Sequence, residues 1–113
     1  MDGKFFKNIE FAKKLALKEE VTYAKGQVVS KTLVQTDNVS ITLFSFDKGE
    51  EISAHSAPGD ALVYVMEGEV TITIGDNAPE VVTEGNFIVM PANISHALEA
   101  TEKFKMMLIV VKG

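Results

Sequence analysis

The sequence predicts an all-β protein of one domain, folded as a sandwich or barrel. Three observations predict it. Beyond Gly26 the chain breaks into short runs rich in β-branched residues, several with a hydrophobic period of two. Turn-forming residues separate those runs at regular spacing, the pattern of many short antiparallel strands. The length, 113 residues with 46% hydrophobic, suits one modest core and argues against disorder.

The elements follow in chain order. Phe5, Ile9, Ala12 and Ala16 fall at helical spacing among Lys and Glu, which predicts a short amphipathic helix over 5–16, though no N-cap residue precedes it. VVSKTLVQ (Val28 to Gln35) reads as a strand ending at the turn Thr36-Asp37-Asn38. VSITLFSF (Val39 to Phe46) is its return partner, closed by Asp47-Lys48-Gly49. ALVYVM (Ala61 to Met66) and EVTITI (Glu69 to Ile74) are joined only by Glu67-Gly68, which predicts a tight hairpin. In the second of these Val70, Ile72 and Ile74 alternate with threonines, so one face is buried and one is wet. Short strands follow at Glu80 to Val82 and in NFIVM, where Pro91 ends the ladder because it has no N–H to donate. SHALEA and FKMMLIVV (Phe104 to Val111) finish the chain.

Composition excludes several functions. The net charge is −5, from 16 acidic residues against 11 basic ones, all of them lysine. Without arginine the chain cannot make the bidentate forks favoured on phosphate and on guanine edges, and it has no basic patch. Nucleic acid is therefore not an expected partner. The absence of cysteine rules out disulfides, thiolate metal sites and thiol catalysis. No apolar run approaches the length of a membrane span, and MDGKFFKNIE lacks a signal-peptide core. No membrane association and a cytoplasmic location are expected.

Two stretches organise the rest. Gly49 to Gly68, GEEISAHSAPGDALVYVMEG, and Gly85 to Ala100, GNFIVMPANISHALEA, each leave a turn glycine, run through apolar residues and carry one histidine. His55 and His96 are the only two in the protein. The spacing G-x5-H-x-A-x3-A-x6-G followed by G-x5-P-x-N-x2-H resembles the paired motifs of the cupin family. The family's patterns read G-x5-H-x-H-x3-4-E-x6-G and G-x5-P-x-G-x2-H-x3-N. Gly49, His55, Gly68, Gly85, Pro91 and His96 match, whereas Ala57, Ala61 and Ala100 stand where a second His, the Glu and the Asn are expected. The resemblance implies a cupin jelly-roll β-barrel over 25–113, preceded by an N-terminal arm (1–24) that is strand and single turns in place of a helix and packs on the barrel or on a partner. It also implies a homodimer, with Phe5, Phe6, Ile9 and Phe11 of the arm as apolar cover. Asn93, in place of a family glycine, tolerates a left-handed turn.

The candidate site takes its residues from this match. In intact cupins two histidines at H-x-H and a third from the second motif converge with the Glu on one metal. Here His55 and His96 remain, so a divalent transition metal would be bound weakly, its charge uncompensated by any carboxylate. Asp60 could substitute for the missing Glu, although a shift of one residue on a strand turns a side chain to the opposite face. Phe44, Phe46, Tyr64, Met66, Met90, Met106 and Met107 are the expected pocket lining, fit for a small apolar organic ligand. Each of these serves equally well as core packing, and both histidines as hydrogen-bonded interior residues. The sequence thus supports a small-molecule binding protein with a weakened or absent metal site. The alternative is a metal-dependent oxidoreductase or dioxygenase using His55 and His96 with a non-standard shell.

Overall fold

In the computed structural model, which describes residues 5–113, nine strands are seen among the described residues. They are β1 (Val28–Gln35), β2 (Val39–Phe46), β3 (Glu51–His55), β4 (Asp60–Glu67), β5 (Glu69–Ile74), β6 (Glu80–Thr83), β7 (Phe87–Met90), β8 (His96–Glu99) and β9 (Phe104–Val111). All pairings are antiparallel. One sheet runs β1-β2-β9-β4-β7 and the other β3-β8-β5-β6. The main core lies between them and draws on both: Phe46, Val63, Val65, Phe104 and Met106 from the first sheet, Val70, Ile72, Val82 and Leu98 from the second. Alternation explains the choice. On β4 the residues Ala61, Val63 and Val65 point inward, and on β9 the even positions from Phe104 to Val110 do.

A second cluster, which Met107 of β9 joins, lies on the other face of the five-stranded sheet. Val21, Leu33, Val34, Leu43 and Met66 are buried there, with Ile9, Leu17, Tyr64 and Met107 packed against them. The N-terminal arm crosses this outer face and is latched by polar groups. Lys7 N–H donates to the Leu33 carbonyl at 2.8 Å, the Asn8 side-chain amide to the Thr32 carbonyl at 2.8 Å, and the Ser45 hydroxyl to the Thr22 carbonyl at 2.7 Å. The buried Lys105 ammonium donates to the Lys18 carbonyl at 2.6 Å, and the Tyr23 hydroxyl to Glu67 at 2.6 Å.

Two sequence expectations are corrected. Residues 5–16 form no helix: Asn8 and Ala12 sit at φ of 60° and 57°, and the first regular turn is the 3₁₀ segment Leu17–Glu19. Without a capping residue, the few apolar contacts of the arm are better met by draping Ile9 and Leu17 on the sheet than by closing intrahelical bonds. The predicted hairpin at Glu67-Gly68 is instead a passage between sheets, since β4 pairs with β7 and β9, and β5 with β6 and β8. Gly68 has φ of 76°, and a Cβ there would run into the Lys103 carbonyl oxygen, so the corner needs glycine on both counts. No helix among the described residues is long and apolar enough to cross a membrane.

Candidate functional site

The two histidines meet because β3 and β8 pair. Glu51 lies opposite Glu99 and Ile52 opposite Leu98; the register then shifts, and His55 lies opposite His96. In a regular strand Ile52 and His55, three apart, would face opposite sides. The register shift restores them to one side, and both line the same cavity. Their imidazole centroids are 4.5 Å apart and inclined at 65°.

Each ring is held by the carbonyl two residues before it. His55 Nδ1 is 3.1 Å from the Ser53 oxygen and His96 Nδ1 is 3.3 Å from the Ile94 oxygen. A carbonyl can only accept, so this geometry assigns the proton to Nδ1 and leaves the Nε2 lone pair of each neutral ring for another partner. His55 is exposed, whereas His96 is 6% exposed. Burial, and next the neighbouring His55, push the His96 pKa below the usual histidine value, against a smaller upward pull from the Ile94 carbonyl.

The cavity that both rings line has a volume of about 90 Å³. Apart from the imidazoles its lining is Ile52, Ala57, Ala61, Met90, Leu98, Met106, Leu108 and Val110, all without a charged or hydroxyl group. Ala57 and Ala61, where the motif expects His and Glu, do face this space. The loop beneath is sewn to the same strands. Asn93, at φ of 64°, donates its N–H to the Ala57 carbonyl at 2.7 Å, and Asp60 Oδ1 accepts the Ala92 N–H at 2.9 Å.

The expected site residues divide accordingly. His55, His96, Met90 and Met106 come together around the cavity. Phe44 and Phe46 are on the inner side but away from it, Phe46 stacked on Phe104 with centroids 4.6 Å apart. Tyr64, Met66 and Met107 belong to the outer face under the arm, because they lie an odd number of residues from Ala61 and Met106 or beyond the irregularity after Val65. Asp60 does not line the cavity, and its carboxylate serves the Ala92 turn. Ile52, Leu98, Leu108 and Val110 were not foreseen. Leu98 follows His96 by two, and Leu108 and Val110 continue the alternation of Met106, a signal already present in the sequence.

Among the described residues no group of three or more His, Cys, Asp or Glu side chains could hold a metal ion. Two neutral imidazoles without an anionic oxygen do not fit the shell that the family motif implies. A larger open groove of about 480 Å³ beside β6 and β7 contains Glu80 as its one ionisable side chain, so the convergent chemistry lies with the smaller cavity.

Comparison with known proteins agrees with this architecture. A family model described as Cupin domain matches residues 42–112. A conserved protein of unknown function from Streptococcus pyogenes is 50% identical and superposes with a TM-score of 0.95, over 100% of this chain and 98% of that one. A cupin superfamily protein from Desulfitobacterium hafniense is 32% identical with a TM-score of 0.90, over 96% and 98% of the two chains. An uncharacterized protein from Methanocaldococcus jannaschii is 30% identical over 90 residues, 80% of this chain and 77% of that one.

Proposed function

Since the chain belongs to the cupin family, we propose that it is a binding module that takes a small organic ligand into the barrel cavity lined by His55 and His96. The observation that carries this reading is an apolar cavity bounded by two imidazoles whose Nδ1 protons are already committed to backbone. The remaining Nε2 atoms accept hydrogen bonds, so the favoured ligand has an apolar body and a hydroxyl or amine donor. At about 90 Å³ the space is well below the ~300–1,000 Å³ of a drug-sized pocket, which limits the enclosed part to a few heavy atoms. Titrating short-chain alcohols, phenols and amines while following the imidazole NMR resonances tests the proposal. Ligands that shift both rings support it; binding that persists unchanged in His55→Ala and His96→Ala proteins sinks it.

A second reading, a metal-dependent oxidoreductase, is favoured by one detail. Donation of Nδ1–H to a carbonyl is also how metal-binding histidines are oriented. On this reading a divalent ion would rely on water for the rest of its shell. Stoichiometric divalent metal in untagged purified protein, lost on His55→Ala, would replace the first reading with the second.

We also propose that the protein is a homodimer. Phe87, Val89 and Val111 are exposed, and the strand register sets them on one sheet face with Leu62, Tyr64 and Ile109. The exposed Phe5 and Phe6 of the arm add apolar surface. An antiparallel sheet with an apolar outer face is stabilised by a like face from a second copy.

A further inference from the structure

We propose that the cavity is a site for a soft monovalent metal ion, Cu(I), bound by the imidazoles of His55 and His96 with the thioethers of Met90 and Met106. Among the described residues that line the cavity, these four side chains alone carry a nitrogen or sulfur donor, and the rest are hydrocarbon. Both imidazoles present an unprotonated Nε2 when neutral, because each Nδ1 is engaged by a carbonyl. Met90 and Met106 are 2% and 1% exposed, so packing holds them in place, while the exposed His55 gives an ion a route in.

Charge and softness choose the ion. Among the described residues no carboxylate lines the cavity, so a cation placed there keeps its full charge among apolar groups. The cost of that placement rises with the square of the charge, so a monovalent ion suffers about a quarter of the penalty of a divalent one. Thioether sulfur is a poor ligand for hard divalent ions and a good one for Cu(I), and imidazole suits copper as well. Replacement of the motif's His and Glu by Ala57 and Ala61 thus does more than weaken a hard site. It leaves a donor set whose preference is different. The inference does not depend on the organic-ligand reading, although the two occupants would exclude each other from one cavity.

The test is anaerobic titration of the purified chain with Cu(I) against bicinchoninate, a coloured competing chelator, with Zn(II) and Ni(II) titrated in parallel. The expected result is one Cu(I) retained per chain and weaker binding of both divalent ions. Met90→Leu with Met106→Leu preserves side-chain volume and should lower the Cu(I) affinity about tenfold or more, at least the loss seen when only supporting groups around a metal are removed. Met66→Leu with Met107→Leu, on the outer face, should leave it unchanged. X-ray absorption of the Cu(I)-loaded parent should show sulfur bonded to copper, a readout independent of whether the variants fold. Surrender of all Cu(I) to the chelator, equal affinity in the Met90/Met106 variant, or copper bonded to nitrogen alone would each overturn the inference. Organic-ligand shifts at the imidazoles would survive any of those results, so the two readings fail separately.

Discussion

His96 links stability to pH through its surroundings. Its folded pKa lies below the unfolded value of about 6.5, because burial and His55 oppose the charged form. The unfolded chain therefore binds the proton first as pH falls. The stability contributed by neutral His96 is fully present above about pH 6.5 and is lost as pH falls through the lower folded value. Melting temperatures of the parent should decline more steeply between pH 7 and pH 5 than those of a His96→Asn protein, in which this proton is gone. Parallel curves would assign the decline to carboxylates instead. At Ala57 and Ala61 the residue scale allows a repair experiment. Both line the cavity, so Ala57→His with Ala61→Glu should restore a three-histidine, one-glutamate set. Ala61 is buried, hence the metal-free double variant should lose about 1–3 kcal/mol to overpacking and recover it on adding Zn(II) or Ni(II), read as melting temperature. Equal metal stabilisation of parent and variant would mean that the parent already owns a full shell.

Individual strands were legible in the sequence where alternation was regular. The limits of β1, β2, β5 and β9 follow from β-branched or apolar runs bounded by turn residues, with strict alternation in β5. β3 was harder to see: Glu51-Ile-Ser-Ala-His holds one large apolar residue, and its register shift breaks the alternation. Strand partners were less legible still. A two-residue Glu-Gly link between strand-like runs signals a reversal, but whether the chain pairs back or passes to the facing sheet is decided by packing far along the sequence. For the same reason the sequence alone does not show that Tyr64 and Met66 lie on the outer face. Their parity is meaningful only once Ala61 and Met106 are known to face inward. The corner at Gly68 gives a direct test. Gly85→Ala meets no atom and should cost only the left-handed backbone penalty, about 1–2 kcal/mol. Gly68→Ala adds a collision with the Lys103 carbonyl and Phe104 Cα, for a further ~1–3 kcal/mol in denaturant unfolding. Similar losses at the two sites would contradict the tight corner. The arm offers another test. Burial and the bond to Glu67 raise the Tyr23 pKa above its ordinary value, and Tyr23→Phe should cost about 1.5–3 kcal/mol by removing a hydrogen bond to a charged acceptor. Faster amide exchange at residues 17–23 in that variant would locate the loss in the arm.

On the scale of the whole molecule, the proposed dimer rests on the apolar outer sheet face. Phe87 and Val89 are 62% and 47% exposed and share that face with Tyr64 and Leu62. Phe87→Lys with Val89→Lys should convert a dimer to a monomer in sedimentation equilibrium, by placing charge where apolar contact is needed. A parent that sediments as a monomer at micromolar concentration would remove the dimer proposal at once. The order of strands has a temporal consequence as well. Among the described residues only β1–β2 and β5–β6 pair neighbours in sequence, while β3 must wait for β8, β4 for β7 and β2 for β9. Folding should be slow for a chain of this length, in milliseconds to seconds, since distant segments must meet before most pairings form. His55 and His96 sit on the β3–β8 ladder, at the edge of its sheet, and are placed together only when that ladder closes. An occupant of the cavity should therefore leave the refolding rate in stopped-flow experiments unchanged and act on the unfolding rate alone, lengthening the lifetime of the folded protein without hastening its birth.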